Sequence, residues 1–434
     1  MKLISAVCGL FTLFVVSSSS AMTFDQLTKI NPDSYQVIDC RDSNVFNGWS
    51  DKMYSRGGHF PHAVNIDSNW LSSLNDEQFG NVLRTHALTA NLPTYLYCYA
   101  DQEKELRARL KQQHFSDVHT INQSINDYSG QLVSFPNYRH LVPVWWVEKL
   151  LQGKDVANPP SQDYKIVEVA WGEATWYLTS HIPHALYLDT NNIESKPLWN
   201  KVSDEKLKAE FEKLGISHNT TVLLYGRNMS AAARAANIMM YAGVKDVRLI
   251  NGGWQAWEKA KYPFESLTTN HAKSKPFGVT IPQHPEYIIG LTQAKKLLAD
   301  RDHSSLVSIR SWPEYIGKTS GYSYIKPKGR IKGARWGHAG TDASHLQDFH
   351  NPDGTMISPN IIARNWNQWN ILSDQTVAFY CGTGWRASEA FFYAYVMGWK
   401  NISVYDGGWY EWSSKPSDPI ALGPIEPAKK IAVH

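Results

Sequence analysis

The sequence predicts an α/β protein of three tandem domains, each a mainly parallel sheet flanked by helices. Three observations carry this: a gap-free internal repeat, a fainter third copy of it, and a matched pair of short elements upstream of every copy. In the clearest pair, Val222-Leu-Leu-Tyr-Gly226 leads through an Ala-rich stretch and Tyr241-Ala-Gly-Val-Lys-Asp-Val-Arg-Leu-Ile250 to Asn251-Gly-Gly-Trp-Gln-Ala-Trp257. Val377-Ala-Phe-Tyr-Cys381 leads in the same way through Tyr395-Val-Met-Gly-Trp-Lys-Asn-Ile-Ser-Val404 to Tyr405-Asp-Gly-Gly-Trp-Tyr-Glu-Trp412. The interval from Gly226 to Gly252 equals that from Cys381 to Gly407, 26 positions.

Each element of the unit has its own signal. A short apolar run bounded by a turn reads as a buried strand, and the small-residue and aromatic stretch after the loop reads as a helix. A second apolar run is the next strand, and Gly-Gly turns the chain into a further helix. Strand, helix and strand in repetition imply parallel pairing, because a parallel connection needs a crossover. The fainter copy has Thr94-Tyr-Leu-Tyr-Cys98 and Val118-His-Thr-Ile-Asn122, one residue closer together and without the Gly-Gly-Trp. Upstream lie the strands Val37-Ile-Asp-Cys-Arg41, Ile166-Val-Glu-Val169 and Leu306-Val-Ser-Ile-Arg310. They are followed by Gly58-His-Phe-Pro-His-Ala63, Ser180-His-Ile-Pro-His-Ala185 and Gly329-Arg-Ile-Lys-Gly-Ala334. Repeats this long are consecutive domains rather than a solenoid. Polar, Pro-bearing stretches at Gln152 to Gln162 and Ser266 to Pro285 separate domains over 22–150, 161–265 and 285–425.

Composition bounds the class. The 434 residues are 43% hydrophobic and 19% charged with 17 Trp, which suits packed cores and argues against disorder. The net charge is +3 with no basic block, so neither nucleic acid nor an anionic membrane surface is an expected partner. Residues 1–21 read as a signal peptide: Met1-Lys2, an apolar run from Leu3 to Val16 too short to span a bilayer, then small residues with Ser19 and Ala21 placed for cleavage. No later segment is long and apolar enough to cross a membrane, so a soluble, exported, periplasmic mature chain is expected. Cys8 leaves with that segment, so Cys40, Cys98 and Cys381 remain, an odd number in an oxidising compartment that leaves at least one thiol without an intramolecular partner.

The chemistry concentrates at Tyr380-Cys381-Gly382-Thr383-Gly384-Trp385-Arg386-Ala387-Ser388, between a strand and a helix. Gly382 and Gly384 permit a tight curl, whose inward N–H groups at a helix N-terminus make an anion nest. A cysteine there is held as thiolate, its nucleophilic form, with Arg386 as a fixed cation beside it. A merely structural buried cysteine would not call for two glycines and an arginine after it.

The Asp/Ser-x-Arg strand, the Gly-His-Ile-Pro-x-Ala-like turn, the Cys-initiated loop and the closing Gly-Gly-Trp resemble the rhodanese homology domain. In layout, and in Cys-Gly-Thr-Gly-Trp-Arg, the chain is similar to three-domain exported thiosulfate sulfurtransferases of Gram-negative bacteria. The resemblance implies persulfide chemistry on Cys381, in two half-reactions: the thiolate takes the outer sulfur of thiosulfate, releasing sulfite, and passes it to cyanide or a thiol. Cys381 and Arg386 enclose four residues, the loop length of sulfurtransferases rather than of the related phosphatases, which have five. The resemblance further implies Gly382, Thr383, Gly384, Trp385, Arg386 and Arg310 as substrate-binding residues. Arg310 sits at the C-terminal end of a parallel strand, where ligands of such sheets bind; the alternative is an arginine paired with Glu314. Ser308 replaces an acidic residue common in this strand. Trp312 and Trp336 are candidates for pocket walls or for packing.

Domain two has Gly226 and Ala231 where domain three has Cys381 and Arg386, and domain one has Cys98 before Tyr99-Ala-Asp-Gln-Glu-Lys104 without glycine. Both are expected to be inert scaffold walling the active site. No metal or cofactor is expected, because no Cys-x2-Cys or His-Glu-x2-His pattern and no nucleotide loop is present. The expected partners are a small-molecule sulfur donor and acceptor. A persulfide carrier protein loaded within a sulfur relay and a 3-mercaptopyruvate sulfurtransferase are the alternatives. Neighbouring strands in such sheets would also bring Cys40 and Cys98 within disulfide reach, the other reading being two small core residues.

Overall fold

The computed structural model describes residues 22–427 apart from 54, 100 and 101. The expected signal segment, 1–21, lies outside the described residues. Each repeat forms its own parallel sheet. In domain three the order is Ile288–Ile289, Ile402–Tyr405, Thr376–Tyr380, Ser304–Ser308, Arg335–Trp336. Domain two repeats it with Leu141–Val142, Asp246–Ile250, Thr221–Tyr225, Tyr164–Ala170 and Leu186–Asp189. Among the described residues domain one has four strands, Val118–Thr120, Thr94–Tyr97, Gln36–Asp39 and Val64–Asn65, without a counterpart of the outer strands Leu141–Val142 and Ile288–Ile289. The central strands are buried on both faces, as the near-continuous apolar runs require.

One boundary moves. Leu141–Val142 falls in the segment 22–150 assigned to domain one, yet it pairs in parallel with Leu249 and Ile250 of domain two. The following helix, Val144–Leu151, sets Trp146 and Val147 into the core beneath Trp254 and Trp257. Two residues of strand are too short to announce themselves as apolar periodicity, and the sheet edge they complete lies far along the chain.

The helices that follow the loops, Met229–Ala242 in domain two and Trp385–Val396 in domain three, pack against each other and join the two domains. All fourteen residues of the first are buried, which explains its Ala-rich composition: small side chains let two backbones approach. Asn251, which opens the Gly-Gly-Trp turn of domain two, ties all three domains. Its Nδ2 donates to Asn44 Oδ1 of domain one at 2.8 Å, and its Oδ1 accepts from Met356 N of domain three at 2.9 Å. In domain one Cys40 and Cys98 form a disulfide with Cα atoms 4.8 Å apart, as adjacent parallel strands allow.

Candidate active site

Thr376–Tyr380 is the middle strand of the third sheet, so Cys381 emerges at its C-terminal end, facing the start of helix Trp385–Val396. Among the described residues it is the free cysteine, and it is 1% exposed. The Gly384 amide donates to Cys381 Sγ at 3.1 Å. Gly384 reaches that pose at φ +114°, a backbone conformation that a side chain would strain. The Gly-Gly-Trp turn holds the loop from behind: Trp409 N donates to Cys381 O at 2.8 Å and Tyr410 N to Gly382 O at 3.1 Å. Gly408, at φ +53°, leaves no room for a Cβ, which would lie 2.8 Å from both of those carbonyl oxygens. Gly382 is closed over by the Tyr322 ring, 2.1 Å from where a Cβ would sit.

Arg386 lies beside the loop and is 3% exposed. It forms a bidentate pair with Glu314 and donates further to Asp342 O at 3.1 Å and Tyr322 Oη at 3.1 Å. Burial alone would raise the Glu314 carboxyl; the charge and hydrogen bonds of Arg386, with Arg310 and Ser311, instead hold it at about 2. Glu314 is thus an ionised carboxylate between two arginines.

Arg310 lies just beyond the strand end, as expected, but does not line the cavity. It is fully buried, outside the cavity lining, with Nη1 on Gly329 O at 2.7 Å, Nη2 on Ser320 O at 3.1 Å and Nε on Glu314 at 3.4 Å. Its guanidinium also stacks over Trp409, 4.9 Å from the ring centre. Domain one shows the same device, with Arg41 Nη2 on Gly58 O at 2.7 Å. The arginine that ends this strand therefore staples the Gly-x-x-x-x-Ala turn to the sheet, whether or not the domain has a catalytic loop. In domain one Asp39 pairs with Arg41; Ser308 cannot do so, and Arg310 turns to Glu314. Trp312 and Trp336 pack on each other, 4.8 Å between centres, and on Trp369, away from the cavity.

Above the loop lies a cavity of about 330 Å³ between domains two and three. Domain three lines it with Tyr322, Tyr324, Thr383, Trp385 and Arg386, and domain two with Trp171, Glu194, Trp199, Asn228 and Ser230. Of the expected residues the structure thus brings Thr383, Trp385 and Arg386 to the cavity, with Cys381, Gly382 and Gly384 forming the loop beneath it. Domain two does wall the site; among the described residues domain one contributes none to the lining. The short antiparallel pair Glu194–Ser195 and Asn200–Lys201 carries Glu194 on its first strand and Trp199 in the connecting turn. Glu194 Oε1 accepts from Trp385 Nε1 at 2.7 Å and Oε2 from Arg234 Nε at 3.1 Å. Burial, opposed by Arg234 and Trp385 and reinforced by Asp406, raises its carboxyl to about 7.

Glu194, Trp171 and Trp199 were missed by sequence reasoning; Glu314 was named only as a partner of Arg310, which it is, and not as the partner of Arg386. Glu314 had a further local signal, its Ser311-x-x-Glu314 capping box at the start of a short helix, with Ser311 Oγ accepting from Glu314 N.

The rhodanese-like domain model matches this chain three times, over residues 24–131, 146–260 and 291–415. The chain is 51% identical over 403 residues to the thiosulfate sulfurtransferase YnjE of Escherichia coli, covering 93% of this chain and 92% of that protein. The crystal structure of YnjE superposes with a TM-score of 0.90, covering 94% of this chain and 97% of that one. The sulfur carrier protein TtuD of Thermus thermophilus is 31% identical over 65% of this chain and 96% of its own length. An anaerobic ergothioneine biosynthesis enzyme from Chlorobium limicola, solved with its substrate trimethyl histidine, is 35% identical with a TM-score of 0.87, over 93% of this chain and 99% of that one. With three matched domains and a relative this similar along nearly its whole length, the chain belongs to the rhodanese family and is a sulfurtransferase.

Proposed function

We propose that the protein is a thiosulfate sulfurtransferase that carries sulfane sulfur as a persulfide on Cys381. The observation that carries this is the free Cys381 sulfur, held by the Gly384 amide beneath a cavity, in a loop with four residues before Arg386. The thiolate attacks the outer sulfur of thiosulfate, and the sulfur–sulfur bond breaks with its electron pair leaving on sulfite. The N-terminus of helix Trp385–Val396 and the Gly384 N–H favour the resulting persulfide anion. Cyanide or a thiol, free or borne by a relay protein, then attacks the outer sulfur and restores the thiolate. Arg386, locked by Glu314, supplies a fixed cationic wall rather than a free clamp. Residues 1–21 direct export to the periplasm on this reading, which their basic, apolar and small-residue order supports, as does a disulfide in domain one. The test is intact mass spectrometry after thiosulfate treatment: one added sulfur atom on the wild type and none on Cys381→Ser, with thiocyanate formed from cyanide. Wild type that takes up no sulfur refutes the reading.

A second acceptor class is favoured by the cavity wall. Trp171, Trp199, Tyr322, Tyr324 and Trp385 line the space together with the Glu194 carboxyl and the Arg386 cation. Aromatic faces with a carboxylate suit a methylated ammonium group, and the Chlorobium relative was solved with trimethyl histidine. Competition between cyanide and trimethylated amino acids for the loaded persulfide separates the two readings.

A further inference from the structure

The silent domain reaches the sulfur loop through Glu194 and, at Gly384, through Arg234. Arg234 lies in helix Met229–Ala242 of domain two and is fully buried. Its Nε donates to Glu194 Oε2 at 3.1 Å, and its Nη2 to Asp406 Oδ1 at 2.6 Å and Trp199 O at 3.2 Å. Both carboxylates lead directly to the loop. The other oxygen of Glu194 holds the Trp385 indole at 2.7 Å, just after Gly384. Asp406 immediately precedes Gly407-Gly408, after which the amides of Trp409 and Tyr410 grip the carbonyls of Cys381 and Gly382. The guanidinium itself fills the space beside Gly384: a Cβ there would lie 3.2 Å from Arg234 Cζ and Nη1. Arg234 therefore touches the loop at its middle and controls the two contacts that fix its ends.

We propose that Arg234, from a domain without a nucleophile, is a positioning residue for sulfur transfer: it sets Gly384 so that its N–H points at the Cys381 sulfur. The proposal rests on the reading of Cys381 as the sulfur carrier. Only a planar fork can serve Glu194, Asp406 and the Trp199 carbonyl while lying flat against a glycine; an ammonium is a single point of charge on a flexible stem. The position opposite Gly384 is doubly restricted, by φ +114° and by the guanidinium beside it. This also answers why Gly384 must be glycine in a loop whose partner surface belongs to another domain.

The experiment compares Arg234→Met and Arg234→Lys with Asn237→Ala. Asn237 lies on the same buried helix, and its Nδ2 donates across the interface to Tyr287 O at 3.3 Å, away from the loop. Three quantities are read on the full chain: the pH midpoint of Cys381 alkylation by iodoacetamide, the single-turnover rate of persulfide formation at saturating thiosulfate, and Tm. Arg234→Met should raise the alkylation midpoint and slow persulfide formation about ten- to a hundredfold, the range that small misplacements of reacting groups produce. Arg234→Lys should recover part of both. Asn237→Ala should lower Tm and leave midpoint and rate unchanged. A folded Arg234→Met with wild-type midpoint and rate overturns the proposal, as does an equal shift of the midpoint in Asn237→Ala. Should Arg234→Met fail to fold, Arg234→Lys decides alone, and an unshifted midpoint in it overturns the proposal. If wild type takes no sulfur from thiosulfate, the donor assignment falls, while the alkylation midpoints still test the positioning role.

Discussion

Arg386 and Glu314 meet as a bidentate pair, Nη1 to Oε2 and Nη2 to Oε1 both at 2.9 Å, with side chains 4% and 0% exposed. Planar fork against planar carboxylate fixes the arginine in one orientation beside the sulfur loop. The pair also makes Glu314, which never reaches the cavity, a determinant of the site's charge.

The pair sets an acid limit on stability. Glu314 ionises at about 2 in the folded chain against an ordinary 4.5, so its stabilising contribution is complete above the ordinary value and is lost as pH falls from there through about 2. The shift corresponds to about 3 kcal/mol at neutral pH. Denaturant unfolding of wild type and Glu314→Gln should therefore converge as pH falls through this window. A constant difference between them would contradict the assignment.

The two arginines should separate in kind. Arg386→Ala should slow persulfide formation by about one to two decades, as expected when a charge-assisted contact near the transition state is lost. It should also cost stability, by leaving Glu314 short of a partner. Arg310→Ala should cost mainly stability, about 3–5 kcal/mol for breaking a buried pair. Stopped-flow sulfite release together with urea unfolding resolves the two effects. A larger rate loss in Arg310→Ala would assign it a substrate-binding role.

Glu194 predicts the opposite pH behaviour. Its folded-state carboxyl lies at about 7, above the ordinary 4.5, so its contribution is present below 4.5 and is lost as pH rises through about 7. Because Glu194 holds the Trp385 indole, intrinsic fluorescence should change with a midpoint near 7, and that step should vanish in Glu194→Gln. Persistence of the step in the variant would assign it to another group.

The disulfide of domain one closes a loop with a sequence separation of 58. Chain-entropy arguments give about 4 kcal/mol for a loop of that size. The double substitution Cys40→Ala with Cys98→Ala should lower the unfolding midpoint and leave thiosulfate loading of Cys381 intact, since the two sites share no residue. Loss of loading in a folded double variant would place domain one in the catalytic cycle.

What was legible in the sequence follows the repeat. Three sheets, the strand–loop–helix setting of Cys381 and the neighbouring strands of Cys40 and Cys98 all depend on local pattern and on the register of one domain with its copies. Leu141–Val142 escaped because two residues complete a distant sheet edge. Glu194, Trp199 and Trp171 escaped because they reach the cavity only when two domains pack, and a single domain's pattern says nothing about its neighbour's face. Arg310 could not be placed from sequence because a strand end is equally suited to a ligand and to a staple; the structure shows it and Arg41 of domain one each holding the carbonyl of the following turn.

Helix Met229–Ala242 has a consequence for how such a protein can change over generations. It has no solvent-facing side, and its partner is the helix that begins at the sulfur loop. A free-standing third domain would expose the face of that partner helix that now packs on domain two. Domain two, with Gly226 where domain three has Cys381, therefore covers a surface that domain three cannot cover alone, and the two are removed together or not at all.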